Sequence, residues 1–372
     1  MRFYPFDFSP ISFHFSQTPR DFVVQEIPLY PFSGSGEHLI VKVRKKGLST
    51  QEMIGILCGI LGCKNREIGY AGLKDKQAMT TQFLSLPLSY ASKISQSQSI
   101  LEQKNIKILS STQHQNKLRI GHLKGNSFFI RLKKILPSDH SKIKSILDQI
   151  SREGIPNYFG FQRFGKFGDN YLEGKKIVHQ EKKFKNFKLN QFLLSSYQSH
   201  LFNQWLSQRI KFCKILQNFG GDELLQAIKS HFYPIDKASL QDLLAQKHFF
   251  KLLSGDLLHH YPQGKLFAAD GNLIEESKRF DSQNIVPCGV LCGKKITLPS
   301  QLAMEFQKDF LDSKISEIGS HRFAWVFPQN LSYRFIEEKA QLELSFVLPK
   351  GSYATILLET LANQEIKGGD DV

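Results

Sequence analysis

Strand-like segments occupy the two ends of this 372-residue sequence, and helix-like segments occupy its middle. Near the start, the apolar runs 22–24 and 39–43 flank a turn-rich segment, and a strand, a polar loop and a second strand follow over 68–84. Alternation of apolar and polar residues returns at 341–348. Because strands and helices do not alternate strictly, this order predicts an α+β fold rather than a doubly wound parallel sheet.

Two helices and one hairpin are predicted in the first 160 residues. Ser49 and Glu52 form a capping-box pattern ahead of a helical stripe, and a second stripe over 143–150 stops at Gly154. A strand pair is predicted around 118–132, with Lys124, Gly125 and Asn126 as its turn.

Helical spacing dominates after about residue 160. Apolar residues recur at that spacing at Leu194, Tyr197, Leu201, Trp205, Leu240, Leu243 and Leu244. A helical segment between strand-rich ends indicates a domain inserted into a split one. We therefore predict a split domain of residues 1–160 plus 326–372 and a mainly helical insertion of residues 161–325.

The chain is basic, with 49 Lys and Arg against 34 Asp and Glu, a net charge of +15 and a pI near 9.4. Such a surface attracts polyanions, and nucleic acid is the commonest large polyanion in a cytosol. A cluster of lysines interleaved with phenylalanines lies within 171–188. The alternative is a solvated lysine-rich face without a ligand.

Other features narrow the class of protein. The longest uncharged apolar run, residues 53–63, is about half a membrane span, and the first 15 residues have no apolar signal core. Five cysteines fit a reducing compartment better than a disulfide framework. These observations predict a soluble intracellular protein.

The sequence offers few signatures of metal or nucleotide chemistry. Cys58 with Cys63, and Cys288 with Cys292, have spacings that zinc ligands can have, but the first pair lies on an apolar helical stripe where buried thiols are ordinary. We find no P-loop, HExxH motif or nucleophile elbow. Metal, nucleotide and serine-hydrolase chemistry are thus not predicted.

Asp75 lies in the polar loop, between Lys74 and Lys76. It can be a solvated turn residue. If the loop is extended, residues 74 and 76 point one way and Asp75 the other. Two nearby cations would favour the ionised carboxylate, which could then act as a nucleophile or base on a nucleotide.

Residues 69–82, which read GYAGLKDKQAMTTQ, resemble the signature of the TruD-type pseudouridine synthases. Further segments similar to that family follow in its order, at 21–26, 34–38, 121–128, 156–165, 199–203 and 348–355. Together these segments extend over nearly the whole chain.

The resemblance implies a pseudouridine-synthase-like fold, with a mixed, largely antiparallel sheet flanked by helices and a TRUD-type RNA-binding domain as the insertion. It implies that Asp75 is catalytic, that Phe22 and Asn157 contact the substrate, and that Tyr353 packs against the target nucleotide. Phe159 belongs to the same motif as Asn157 and is expected to line the pocket. Basic residues near these motifs and in the insertion are the predicted RNA contacts: Lys74, Lys76, Arg163, Lys182, Lys183 and Lys185.

Two positions depart from the family pattern. Tyr353 stands where phenylalanine is also common, which adds a hydroxyl group to the pocket. Ser16 occupies a place where many members have lysine, so that Arg20 or Lys74 would have to supply a cation there.

The expected function is that of a tRNA pseudouridine synthase with the uridine at position 13 as its target. The reaction breaks the N1–C1′ bond and joins C5 to C1′, so it needs no cofactor. A carboxylate can attack the sugar or take a proton from it, and the sequence leaves both routes open. When the target base leaves its stack it loses its neighbouring bases, and aromatic rings such as Phe22 and Tyr353 can replace them as stacking partners.

We expect tRNA as the partner, a cytoplasmic monomer with no membrane association, and no obligatory protein partner. The alternative is a non-catalytic RNA-binding protein or RNA chaperone, for which Asp75 would have no use. A nucleoside- or phosphate-directed hydrolase would need paired carboxylates, metal ligands or a catalytic triad, and none is apparent.

Overall fold

A computed structural model describes residues 2–366 of the chain. Its strands are β1 (His14–Phe15), β2 (Phe22–Pro28), β3 (His38–Lys45), β4 (Gly69–Tyr70), β5 (Met79–Pro87), β6 (Ile106–His114), β7 (Leu123–Lys133), β8 (Ile155–Pro156), β9 (Leu257–His260), β10 (Leu266–Ala268), β11 (Ile285–Leu291), β12 (Ser320–Phe323), β13 (Trp325–Val326), β14 (Gln329–Ile336) and β15 (Gln341–Pro349). Its α-helices are α1 (Thr50–Leu61), α2 (Ala91–Gln96), α3 (Gln98–Gln103), α4 (His140–Glu153), α5 (Asn170–Val178), α6 (Phe187–Asn218), α7 (Gly221–His231), α8 (Lys237–Ala245), α9 (Leu273–Asp281), α10 (Gln301–Gln307) and α11 (Ala354–Ala362).

The described residues form two compact units. The first, which we call the sheet unit, comprises residues 12–141 and 328–351. The second, which we call the helix-rich unit, comprises residues 2–11, 142–327 and 352–366. The predicted domains instead change at 160/161 and 325/326, and their residues 1 and 367–372 lie outside the described residues. The assignment of a catalytic domain and an RNA-binding domain stays a prediction.

One mixed sheet dominates the sheet unit. Its strand order is β14-β15-β7-β2-β5-β3-β6, with β1 also pairing to β7 and β4 to β5. β2 and β5 run parallel, and the other pairings among the described residues of this sheet are antiparallel. The predicted α+β class with a largely antiparallel mixed sheet is confirmed.

The first predicted helix is confirmed in α1. Ser49 Oγ accepts a hydrogen bond from the Glu52 amide at 3.2 Å, and the Glu52 carboxylate accepts one from the Ser49 amide at 2.7 Å. The helix ends at Leu61 and is capped by Gly62, whose φ of 73° is a left-handed conformation that glycine adopts without steric cost. Its apolar face packs into one core cluster with buried residues of β3 and β5, namely Leu39, Val41, Val43, Leu84 and Leu86.

The hairpin predicted around Gly125 is wrong. Residues 124–126 lie inside β7, which pairs with β2 on one side and β15 on the other. A Cβ atom at Gly125 would lie 2.3 Å from the carbonyl oxygen of Leu348. The glycine therefore allows two strands to approach closely and does not form a turn.

Long helices and a small sheet build the helix-rich unit. α6 has 32 residues, and its predicted apolar positions Leu194, Tyr197, Leu201 and Trp205 are buried. The four-stranded sheet β10-β9-β11-β12 was not predicted, because β11 is buried on both faces and shows no alternation. Among residues 2–366, no helix combines the length and the apolar content that crossing a membrane would require.

Candidate active site

The loop between β4 and β5 carries Asp75, and a buried lysine of β3 holds the backbone of this loop. Lys45 Nζ donates hydrogen bonds to the carbonyl oxygens of Asp75 at 2.9 Å and Leu48 at 2.5 Å, and it lies 3.4 Å from that of Lys74. The side chain of Lys45 is fully buried. Burial lowers the pKa of Lys45 to about 8, and the negative charge of Asp75 opposes that decrease.

A second set of contacts fixes the residue before Asp75. The Lys74 amide donates to Thr50 Oγ1 at 2.9 Å, and Thr50 Oγ1 donates to Gln82 Oε1 at 3.0 Å. Lys74 Nζ forms a buried ion pair with Glu26 of β2 at 2.7 Å. This burial argues against the predicted RNA contact of Lys74, because its ammonium group already has a partner inside the sheet unit.

Asp75 is exposed to solvent, yet its electrostatic environment is unusual. Loss of hydration raises the pKa of the Asp75 carboxyl above its ordinary value, while the charges of Lys45 and Lys74 lower it. Lys76 was expected to be one of the neighbouring cations, but it pairs instead with Glu52 at 2.7 Å. Partial desolvation makes a carboxylate a stronger base and nucleophile, which is a feature of catalytic groups.

Phe22 begins β2 in the same unit, and its side chain is only 3% exposed. Its ring packs edge-on against Phe15, with centroids 5.6 Å apart, and stacks with Phe128 at 6.4 Å. In this structure Phe22 is therefore a core residue near the start of the strand that carries Glu26. Direct contact with a substrate stays a prediction.

The helix-rich unit brings Asn157, Phe159 and Tyr353 together. The rings of Phe159 and Tyr353 lie with centroids 6.1 Å apart at an angle of 61°. Phe159 is buried, whereas Tyr353, which precedes α11, is half-buried. Of the two rings, Tyr353 is therefore the more accessible one for stacking with a base.

Arg322 of β12 joins these residues and was missed by the sequence analysis. Its guanidinium lies 3.9 Å from the centroid of the Phe159 ring. It donates to the backbone and side-chain oxygens of Asn157, both at 2.9 Å, and to the Tyr158 carbonyl at 3.2 Å. Desolvation lowers the pKa of Arg322 to about 10. No motif marked this residue, since it lies more than 160 positions from Asn157 along the chain.

Further hydrogen bonds fix the side-chain amide of Asn157 and the backbone of Phe159. Asn157 Nδ2 donates to the Phe323 carbonyl at 3.0 Å. The Phe159 amide donates to Asn203 Oδ1 at 2.8 Å, and Asn203 Nδ2 donates back to the Phe159 carbonyl at 3.0 Å. Asn203 belongs to the family-like segment 199–203, so this segment of α6 contributes to the position of the Phe159 backbone.

Comparisons with known proteins show the family to which the chain belongs. Residues 1–187 match the family model of tRNA pseudouridine synthase D (TruD). The chain is 52% identical over 366 residues to tRNA pseudouridine synthase D of Wolinella succinogenes, with 98% of this chain and 99% of that protein covered. The chain belongs to the TruD family. A relative of the same name from Sulfurimonas denitrificans is 50% identical over 365 residues, covering 98% of this chain and 99% of that protein.

A solved structure from Methanosarcina mazei, described as a candidate TruD protein, has a similar fold. Its TM-score is 0.67 at 20% sequence identity, and the match covers 97% of this chain and 96% of that one. Its likeness supports the α+β architecture with a helical insertion. The family of tRNA pseudouridine synthases to which this chain belongs is a family of isomerases.

The basic residues predicted for RNA binding by this TruD-family chain differ in their availability. Arg163 lies with its guanidinium 5.8 Å from the centroids of both Phe159 and Phe192, and its Nε donates to Ser199 Oγ at 3.2 Å. Lys182 forms an ion pair with Glu173. Lys183 and Lys185 are exposed, and no salt bridge involves either of them among residues 2–366. Of the four residues Arg163, Lys182, Lys183 and Lys185, the last two make neither a salt bridge nor a ring contact within residues 2–366.

The cysteines of this TruD-family chain form no zinc site within residues 2–366, where no group of three or more metal-ligating side chains is found. Cys58 and Cys63 lie with their sulfur atoms 3.2 Å apart, against the core of the sheet unit. Cys288 and Cys292 are buried in the helix-rich unit. The thiols are explained by packing.

Proposed function

We propose that the protein converts the uridine at position 13 of tRNA to pseudouridine and that Asp75 performs the first chemical step. As a member of the TruD family, the chain is a tRNA pseudouridine synthase. The observation that carries the role of Asp75 is its loop. Lys45 of β3 and Thr50 of α1 hydrogen-bond to the backbone of Asp75 and Lys74, and Glu26 of β2 holds the Lys74 ammonium group beside one partly desolvated carboxyl.

The chemistry needs one carboxylate in a fixed place. The N1–C1′ bond of the uridine breaks, the uracil turns, and C5 forms the new bond to C1′. C5 then loses its proton and N1 gains one, so the product is an isomer of the substrate. Asp75 either attacks C1′ or removes a proton from the sugar, and both roles require the ionised form. A rigid loop lowers the barrier because the carboxylate does not have to be ordered during the reaction.

Tyr353, Phe159 and Asn157 are the proposed contacts of the target nucleotide. Tyr353 supplies a half-buried ring for base stacking. Asn157 has an amide already bonded to Arg322 and Phe323, which leaves one N–H and one lone pair for the substrate. Arg322 is a positioning residue, because it orients Asn157 and covers one face of Phe159. Phe22 is proposed as a further substrate contact, although its ring packs against Phe15 and Phe128.

We also propose roles for the two predicted domains, a set of RNA-binding cations, and the localisation and oligomeric state of the protein. Residues 1–160 plus 326–372 form the catalytic domain, and the insertion of residues 161–325 binds RNA. The cations proposed to contact tRNA phosphates are Lys76, Arg163, Lys182, Lys183 and Lys185. The protein is proposed to act as a cytoplasmic monomer on tRNA, without an obligatory protein partner.

The test is the variant Asp75→Asn, which keeps the size of the side chain and removes its charge. Binding of tRNA should hold or increase slightly, because a negative charge near phosphate is lost. Formation of pseudouridine should fall below detection in single-turnover assays, and mapping should locate the wild-type product at position 13.

Asp148→Asn is the matched control, because Asp148 is exposed on α4 and carries the same change. The control should keep wild-type turnover. Appreciable product from Asp75→Asn would refute the catalytic role. A wild-type protein that binds tRNA and never forms pseudouridine would favour the RNA-binding alternative.

A further inference from the structure

A cleft in the sheet unit has no role in the proposed chemistry. It lies between the segment after β2 and the segment that joins β6 to β7, and its volume is about 600 Å³. The residues that line it are Tyr30, Pro31, His114, Asn116, Lys117, Arg119 and His122. We call it the Tyr30 cleft. A space of this volume is large enough for one nucleotide.

The aromatic wall of the Tyr30 cleft is held rigidly. The rings of Tyr30 and His114 stack with centroids 5.3 Å apart at 29°. Tyr30 Oη lies 2.8 Å from His122 Nδ1, within hydrogen-bond distance, and the Ser33 amide donates to His114 Nδ1 at 3.2 Å. Because these rings are fixed before a ligand arrives, a base that stacks on them loses little free energy to ordering of the protein.

The charge of the Tyr30 cleft selects an anion. Lys117 and Arg119 line it, and none of its lining residues is acidic. Lys117 Nζ donates to the carbonyl oxygen of Arg66. Among residues 2–366, neither Lys117 nor Arg119 takes part in a salt bridge, so both charges are available to a phosphate group.

The Tyr30 cleft is connected to the loop of Asp75 within the same unit. The Gly121 amide donates to the carbonyl oxygen of Ala71 at 2.8 Å, and Ala71 precedes Asp75 by four positions. The turn that contains Gly121 also contains Arg119 and His122, whose backbone atoms are hydrogen-bonded to each other at 3.0 Å. A ligand of the cleft would thus lie against the segment that leads into the loop.

We propose that the Tyr30 cleft binds a second nucleotide of the substrate tRNA, distinct from the target uridine. Its base stacks on the aromatic wall of Tyr30 and His114, and its phosphate lies between Lys117 and Arg119. The proposal rests on the proposed function for the identity of the RNA. It adds a specificity site, since only a tRNA that can extrude a nucleotide at the right distance from the target would fill both positions.

The first test measures tRNA binding of the double variant Lys117→Gln/Arg119→Gln at several salt concentrations. The slope of log K against log salt should become shallower by about 1.5, because each lost phosphate contact contributes about 0.7 to 0.9. Lys104→Gln/Lys107→Gln is the control, with the same change of charge in the same unit, and it should leave the slope unchanged. Equal slopes for wild type and the cleft variant would overturn the proposal.

The second test combines variants of Tyr30 with tRNAs that each lack a single base near the target uridine, and it measures binding for every combination. Tyr30→Phe should bind like the wild type, whereas Tyr30→Ala should bind more weakly, on the order of 5- to 100-fold. Removal of the base at one particular tRNA position should weaken binding to the wild-type protein by a similar factor. The same removal should not weaken binding to Tyr30→Ala any further. Melting curves check that Tyr30→Ala is folded, and if it is not, Lys117→Gln/Arg119→Gln takes its place in the same experiment. Absence of any coupled position would refute the stacking of a tRNA base.

Two controls separate this proposal from the function on which it rests. Uridine monophosphate is titrated alone, and tight binding of it together with unchanged tRNA binding by the cleft variant would mean a mononucleotide site instead. Pseudouridine formation by the wild type is measured on the same tRNA. If product forms and the cleft variants bind normally, the cleft proposal alone fails. If no product forms, the proposed function fails, and the binding data still decide the role of the cleft.

Discussion

The charges of Lys45 and Asp75 interact in the sheet unit, although the two residues are 30 positions apart in the sequence. Lys45 serves two purposes, since its N–H groups bind the loop backbone and its charge opposes the increase in the pKa of Asp75. A carboxylate that must be ionised to react loses activity as the pH falls through its pKa. The pH at which the reaction rate falls on the acidic side therefore reports how strongly the charge of Lys45 acts on the pKa of Asp75.

Lys45→Met tests whether the charge of Lys45 lowers the pKa of Asp75. Removal of the positive charge should raise the pKa of Asp75, so the acidic limb of the single-turnover rate should move to higher pH. The maximal rate should also decrease, because methionine cannot hold the carbonyl oxygens of the loop. Lys46→Met, an exposed neighbour, should change neither quantity. An unchanged acidic limb in Lys45→Met would show that Lys45 does not act on Asp75.

Arg322→Met tests the positioning of the nucleotide contacts. The variant removes three hydrogen bonds to Asn157 and Tyr158, and misplacement of the contacts should lower the single-turnover rate by on the order of 10- to 100-fold. Arg322→Lys should recover only part of the rate, because an ammonium group lacks the planar fork. Arg152→Met, exposed in the same unit, is the control. If Arg322→Met melts earlier yet keeps its rate when folded, the role of Arg322 is structural only.

Individual side chains show where sequence analysis succeeds. A polar loop with an aspartate is recognisable because its composition is local, whereas the predicted catalytic role of Asp75 came from the resemblance of residues 69–82 to the TruD-type signature. The direction of Lys45 could not be predicted, because an inward-pointing lysine on a strand looks the same in sequence as an outward-pointing one. Phe22 likewise appeared as an aromatic contact, and its burial depends on Phe15 and Phe128.

At the level of elements, β7 shows how one local pattern can fit two structures. Lys124, Gly125 and Asn126 have the composition of a turn, yet they lie in a continuous strand of 11 residues. The deciding contact is with Leu348, more than 200 positions away. By contrast, α1 and β15 were predicted well, because their caps and alternation are local and strong.

Gly125→Ala should therefore destabilise the sheet unit. The new Cβ atom would lie 2.3 Å from the Leu348 carbonyl oxygen, which is backbone and cannot turn aside. We expect a loss on the order of 1–3 kcal/mol in the free energy of unfolding, measured by denaturant titration. Gly59→Ala is the control, since nothing lies within 4 Å of its Cβ position in α1. That variant should gain up to about 1 kcal/mol, and a loss as large as that of Gly125→Ala would contradict the steric explanation.

For the whole molecule, the charge of +15 is the property most readily obtained from the sequence. It indicates a polyanionic partner without locating the contact, since contacts depend on which cations are already paired. Lys182 is paired with Glu173, whereas Lys183 and Lys185 are not paired within residues 2–366. The predicted domain boundaries stay a prediction, and the small sheet β10-β9-β11-β12 was missed because its strand β11 is buried on both faces and lacks alternation.

Lys183→Ala/Lys185→Ala should weaken tRNA binding and make its salt dependence shallower by about 1.5 in log–log slope. The reason is the loss of two phosphate contacts, and filter binding at four or more salt concentrations measures it. Lys229→Ala/Lys237→Ala removes the same charge from exposed positions elsewhere in the helix-rich unit. Indistinguishable slopes for the two double variants would mean that the lysine-rich segment is a solvated face.

The pairing of β15 with β7 has a consequence for biosynthesis. β7 ends at Lys133, and more than 200 residues are translated before Gln341 begins its partner strand. At about 5–20 residues per second, the nascent chain spends on the order of 10–40 s on the ribosome with that edge unpaired. An open edge strand can pair with other chains and aggregate. We therefore expect the sheet to be completed late in translation, and a nascent chain arrested before β15 to need chaperone protection that the full-length chain does not.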